Sequence, residues 1–141
     1  MDVYLSLYVL PDDDGNNVIL PFLIAAVSED DAVDRSDSFI EAIETVANPE
    51  SEALEADIAR NEIETMRPMV FMMDDESEIA AVRESLRQHN PNFEDEVKSM
   101  AGSTFTVKVD EESGFTAETT TLLRNRMSGH YVYSALSVEF D

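Results

Sequence analysis

The side chains that could do chemistry are few in kind: two histidines, no cysteine and thirty-one carboxylates. Without cysteine there is no disulfide, thiolate metal site or thiol nucleophile, and the composition fits a reducing cytoplasm. His89 stands just before Asn90-Pro91, at the expected end of a helix, where an imidazolium would complement the helix dipole. His130 follows Gly129 in an expected turn. Neither sits in a His-x₃-His or His-Glu pattern with metal-ligand spacing. The hydroxyls leave a Ser–His pair arithmetically open, but no Gly-x-Ser-x-Gly elbow occurs to present a nucleophile. With so many carboxylates some must lie in pairs, so a pair is no sign of acid–base catalysis. The chain reads as non-catalytic and without a cofactor.

The stretch Asp12-Asp13-Asp14-Gly15-Asn16-Asn17 comes nearest to a metal loop. Asp12, Asp14 and Asn16 take the first, third and fifth ligand positions of an EF-hand loop. The sixth position, which should be glycine, is Asn17, and the twelfth, which should be glutamate, is Leu23. The stretch also separates two expected strands rather than two helices. It reads as a hairpin turn, with no metal.

Against those carboxylates stand nine basic residues, giving a net charge of −22 in a chain of 141 residues. Such a field repels nucleic acid and anionic membranes and attracts basic protein surfaces. Nothing like a P-loop or a dinucleotide fingerprint is present, and there are only four glycines. Only Lys98 and Lys108 are lysines. Acidity with scarce lysine is also the mark of adaptation to a high-salt cytoplasm, although seven methionines and so little glycine stand against that origin. The N-terminus lacks the basic region and cleavage site of a signal peptide. The longest apolar run, Val18 to Val27, holds Pro21 and is too short to span a bilayer. The expectation is a cytoplasmic protein, in the host cytoplasm if viral, with no membrane and no direct nucleic-acid contact.

Triplets of carboxylates at Asp12–Asp14, Glu29–Asp31, Asp74–Glu76, Glu94–Glu96 and Asp110–Glu112 all fall at element junctions and read as solvated ends. The segment from Glu29 to Glu64 differs. Its thirteen acids less two arginines, Arg35 and Arg60, leave −11, half the net charge in about a quarter of the chain. Within it Asp30, Asp34, Asp37, Glu41 and Glu44 are spaced four, three, four and three. On a helix that spacing makes one stripe, with neighbours about 5–6 Å apart at Cβ. Val33, Ile40, Ile43 and Ala47, with Phe39 and Val46, fall on other faces and are expected to be apolar packing.

Magnitude separates patterned charge from uniform charge. A chain of this mass exposes roughly 7,300 Å². Spread evenly, the charge would be about one per 330 Å², against about one per 107 Å² for duplex DNA. Even acidity is about threefold too dilute to pass for DNA. A concentrated face is required, and the Asp30–Glu44 stripe is where the sequence offers one.

The elements that must position this stripe are legible from periodicity. Val3–Leu10 alternates as a strand, and Val18–Val27 follows as a second, making an N-terminal hairpin in which Pro21 implies an edge or a bulge. Asp30–Ala47 reads as a helix, with Asn48 capping a second helix that begins at Pro49 and carries Leu54 and Ile58 inward. Met69–Met73 reads as a buried strand, and Glu76–His89 as a helix capped by Asp75 with Ile79, Val82 and Leu86 inward. A short helix carries Phe93, Val97 and Met100 to Gly102, and Thr104–Val109 is a strand. Phe115–Met127 suits strand or helix, and His130–Phe140 reads as a last strand. The non-alternating order indicates α+β, with a mainly antiparallel sheet of five or six strands and three or four helices in one domain, 1–141.

The expected function is that of an acidic binding protein. It would inhibit a basic, nucleic-acid-binding partner through the carboxylate-lined helix face, in the manner of anti-restriction, anti-CRISPR or nuclease-immunity proteins. The competing expectation is a halophilic or halophile-virus protein of structural or unknown function whose charge is environmental. Ser113–Val138 holds one acid, Glu118, beside Arg124, Arg126 and His130. It is expected to lie beneath the acidic helices or to form a homo-oligomer contact.

Overall fold

The computed structural model describes residues 1–10, 18–100, 102 and 104–140, with 133–140 described by backbone alone. The Asp12–Asn17 loop lies outside the described residues. The element order is β1 (Asp2–Leu10), β2 (Val18–Ala26), α1 (Glu29–Ala47), α2 (Ala53–Met66), β3 (Val70–Met72), α3 (Glu76–His89), α4 (Phe93–Lys98), β4 (Thr104–Lys108) and α5 (Ala117–Phe140), with short 3₁₀ turns at Arg67–Met69 and Glu111–Ser113. The fold is α+β: among the described residues, four antiparallel strands form one sheet in the order β3-β2-β1-β4, accompanied by five α-helices.

β1 is central, and its alternation serves two cores. Leu5, Leu7 and Val9 point to one face, where they meet Val82 and Leu86 of α3, Phe93 and Val97 of α4, and Leu123 and Met127 of α5. Tyr4 and Tyr8 point to the other, where Phe22, Ile24 and Ala26 of β2 join Ala32, Phe39 and Ile40 of α1. Ser6, fully buried between the tyrosines, bonds Ser36 of α1 at 2.6 Å and Thr106 of β4 at 3.1 Å. A buried hydroxyl needs such partners, and here they tie α1 to the sheet. Helices therefore cover both faces, with α1 and α2 on one and α3, α4 and α5 on the other.

The hairpin and Asp75 cap agree with the sequence: Asp75 accepts from Ser77 N–H at 2.8 Å and Glu78 N–H at 3.3 Å. Five expectations need correction. His130–Phe140 is not a strand but the second half of α5, and Phe115–Met127 is largely its first half. The winning signal is the spacing of Thr119, Leu123 and Met127, all buried four residues apart, together with Thr116, whose Oγ1 accepts from Thr119 N–H at 3.1 Å. That change removes strands and adds a helix, which accounts for four strands and five helices.

The second correction concerns Pro21. β2 is not an edge strand, because β3 pairs with it over Phe22–Ile24. The carbonyl of Pro21 accepts from Met73 N–H at 3.2 Å. A residue's N–H and C=O point to the same side of a strand, so the missing N–H faces the side where three-residue β3 has already ended.

Third, α2 begins at Ala53, not Pro49. Asn48 ends α1, its Oδ1 accepts from Glu50 N–H at 3.0 Å, and Ser51 Oγ donates to Thr45 O at 2.8 Å, holding the intervening residues in a turn. Leu54 and Ile58 then face outward, 70% and 57% exposed, and Ala59 is the α2 residue that is buried. Fourth, only Val70–Met72 of the methionine-rich stretch is strand; Met73 is buried but Met72 is exposed on this sheet edge. Fifth, Phe115, Leu123 and Met127 of the Ser113–Val138 segment do not lie beneath the acidic helices but pack on the opposite sheet face. Among the described residues no helix is long and apolar enough to cross a membrane.

Candidate partner-binding face

α1 is started and pinned before its stripe begins. Ser28 caps it by accepting from Asp31 N–H at 3.1 Å, and Asp31 reaches back to accept from Val27 N–H at 3.0 Å. Arg35 Nε donates to Asp31 Oδ1 at 3.0 Å and Arg35 Nη1 to Ala25 O at 3.3 Å, locking the first turns against β2. The Val27 hydrogen bond foremost, and then Arg35, hold the Asp31 carboxyl below its ordinary pKa. Asp31 and Arg35 are therefore structural partners, and Arg35 leaves the stripe's own charge unneutralised.

Asp30, Asp34, Asp37, Glu41 and Glu44 are all exposed, and none of them forms an ion pair among the described residues. At 100° per residue the five span about 80° of the helix circumference, opposite the buried Ala32, Ser36 and Phe39. Of the apolar residues expected to pack, Phe39 and Ile40 are buried, whereas Val33 and Ile43 are each 36% exposed. Along the axis the stripe places one carboxylate about every 5 Å, roughly one and a half times the 3.4 Å per phosphate of a single DNA strand. The local line of charge is thus far denser than the molecular average.

Glu44 differs from the other four. Its Oε1 accepts a short hydrogen bond from the buried Tyr8 hydroxyl, coupling the end of the stripe to the central strand. That bond first, then burial and the carboxylate's charge, push the Tyr8 pKa up to about 12. A phenol with a raised folded pKa stabilises the protein fully below its unfolded value near 10. The contribution is lost as pH climbs through about 12. Glu44→Gln should move the highest tyrosinate absorbance transition to lower pH and bring alkaline unfolding forward. An unchanged transition in that variant would show that Glu44 does not hold the phenol.

α2 adds acids that were not singled out from the sequence. Glu55 and Glu62 lie two turns apart with Ile58 between them, a spacing that puts all three on one side of α2. They face α1 across two adjoining hollows of about 610 and 410 Å³ that share Ser38, Ile58 and Glu62. Asp34 and Glu41 form the opposite wall. Two α1 stripe residues and two α2 glutamates thus rim one groove.

The cations are arranged differently. Arg83 and Arg87 both bridge Glu94, and Arg126 binds the nearly buried Glu78 while stacking 5.8 Å above the Phe71 ring. The histidines serve packing: His89 lies against Gly114, and His130 Nε2 hydrogen-bonds Arg67 O at 3.0 Å beside Phe71. Gly114, at φ +105°, is a position where glycine is needed, since a Cβ would come within 2.5 Å of His89. No protein-family model matches this chain, and no curated protein or solved structure is significantly similar to it.

Proposed function

We propose that the protein is a non-catalytic acidic binding protein that blocks a basic, nucleic-acid-binding partner by presenting the α1 carboxylate face. The observation that carries this reading is the uninterrupted exposure of Asp30, Asp34, Asp37 and Glu41 on the outer surface of a helix fixed firmly to the sheet. A structural helix face ordinarily mixes in lysines that relieve repulsion between neighbours three and four residues apart. This one keeps its charge outward, in one line, on a rigid support. Such a face steers basic surfaces toward it and repels nucleic acid itself.

The test is competition. The protein should displace duplex DNA from a basic DNA-binding partner recovered from its source lysate, with potency falling as salt is raised past physiological strength. It should not shift duplex DNA alone in a gel. A duplex shift at micromolar protein would overturn the reading. Unfolding in dilute buffer, with refolding at molar salt, would favour environmental acidity instead.

A further inference from the structure

We infer that the groove between α1 and α2 docks a basic amphipathic helix of the partner, an inference that rests on the acidic-face reading above. Ile58 lines the groove at 57% exposure, and Leu54, at 70%, lies one turn earlier on the same ridge. Large apolar side chains standing together in water mark contact surfaces more often than isolated ones do. Glu55 and Glu62 border them on the side facing α1, with Asp34 and Glu41 across the groove, while Leu54 stands just outside its lining. An apolar ridge beside an acidic groove complements a helix with one apolar stripe bordered by lysine or arginine. α1 and α2 are joined by a short turn as a helical hairpin, and a third helix laid between them completes the packing that two helices leave open.

Charge decides among occupants. A second copy of the same face would set −11 from residues 29–64 against another −11, so self-association here is opposed. A nucleic-acid strand is opposed for the same reason. A purely polar basic loop would leave Leu54 and Ile58 uncovered. The basic amphipathic helix alone satisfies both the rims and the ridge.

Two synthetic leucine–lysine peptides of about 18 residues match the length of α1. One places leucine on a single helix face, and the other has the same composition scrambled. Fluorescence anisotropy should show the patterned peptide binding at least about tenfold tighter than the scrambled one. Leu54→Ser with Ile58→Ser should abolish that preference while both peptides still bind through charge. Both substitutions are at exposed positions, and amide shift mapping on the unsubstituted protein gives an independent reading. Shifts should concentrate along α1 and α2. Equal binding of the two peptides, no binding, a preference surviving the double substitution, or shifts confined to α3–α5 would each overturn the groove. If neutralising the stripe still weakens the natural partner in that event, the acidic-face reading stands without it.

Discussion

Asp30→Asn, Asp34→Asn and Asp37→Asn together should lower affinity for a basic partner by about 2–4 kcal/mol, roughly 30- to 900-fold, without unfolding the protein. All three side chains are exposed and outside every ion pair among the described residues, so no internal contact is lost. Melting temperature should hold, because relief of like-charge repulsion at three- and four-residue spacing, a few tenths of a kcal/mol per pair, offsets the loss of Asp30 from the first turn, where the helix dipole favours it. Affinity should also lose much of its salt dependence, since exposed charges are screened beyond about 8–10 Å. The control is Asp110→Asn, Glu111→Gln and Glu112→Gln, which removes equal charge elsewhere. Asparagine keeps the oxygen with which Asp110 accepts from Ser113 N–H at 2.8 Å, so the local turn is preserved. Equal losses from both triple variants would mean that net charge alone acts and that α1 presents an ordinary solvated face.

Leu123→Ala should destabilise the protein by about 3–4 kcal/mol, whereas Leu122→Ala should cost less than about 1 kcal/mol. The two leucines are adjacent in sequence but point differently on α5: Leu123 is fully buried and Leu122 is 36% exposed. Leu123 packs in the core that also holds Leu5, Leu23, Val82 and Phe115, where a lost side chain leaves a cavity bordered by the sheet and α3. Urea unfolding of both variants reads the difference. Similar losses would place both leucines at half-buried sites and contradict the helical orientation of α5.

The acidic stripe was legible because it depends only on spacing along one helix, with Phe39 and Ile40 on the buried side and a stop at Asn48. The strands β1 and β4 were legible for the same kind of reason, since alternation at Val3–Val9 and Phe105–Val109 is a local property, and β2 was legible as an apolar run after a turn. What escaped depended on neighbours. Thr119 through Thr121 carry strand propensity, yet the core beneath them is reached only at helical spacing, so tertiary packing overrode the local preference. Val132, Leu136, Val138 and Phe140 kept a two-residue alternation that mimicked a strand within α5. Leu54 and Ile58 were expected inside because they are apolar. The side chain that α2 actually buries is the small Ala59, which lets α2 lie close to α1. The Glu55 and Glu62 rim followed from that packing, and no pattern within α2 alone announces which face looks at α1.

A row of identical charges has no direction, but a row laid along a helix does. α1 carries Glu29, Asp30 and Asp31 in its first turn and no basic residue in its last. Its leading carboxylates therefore sit at the end where the backbone's exposed N–H groups favour them. Glu41 and Glu44 sit near the end where free carbonyls add to their potential. Glu50 and Glu52, in the turn beyond Ala47, add two further carboxylates at that end. On the acidic-face reading proposed above, a cationic segment lying along the stripe would thus meet two unlike ends, one eased by the backbone dipole and one sharpened by it.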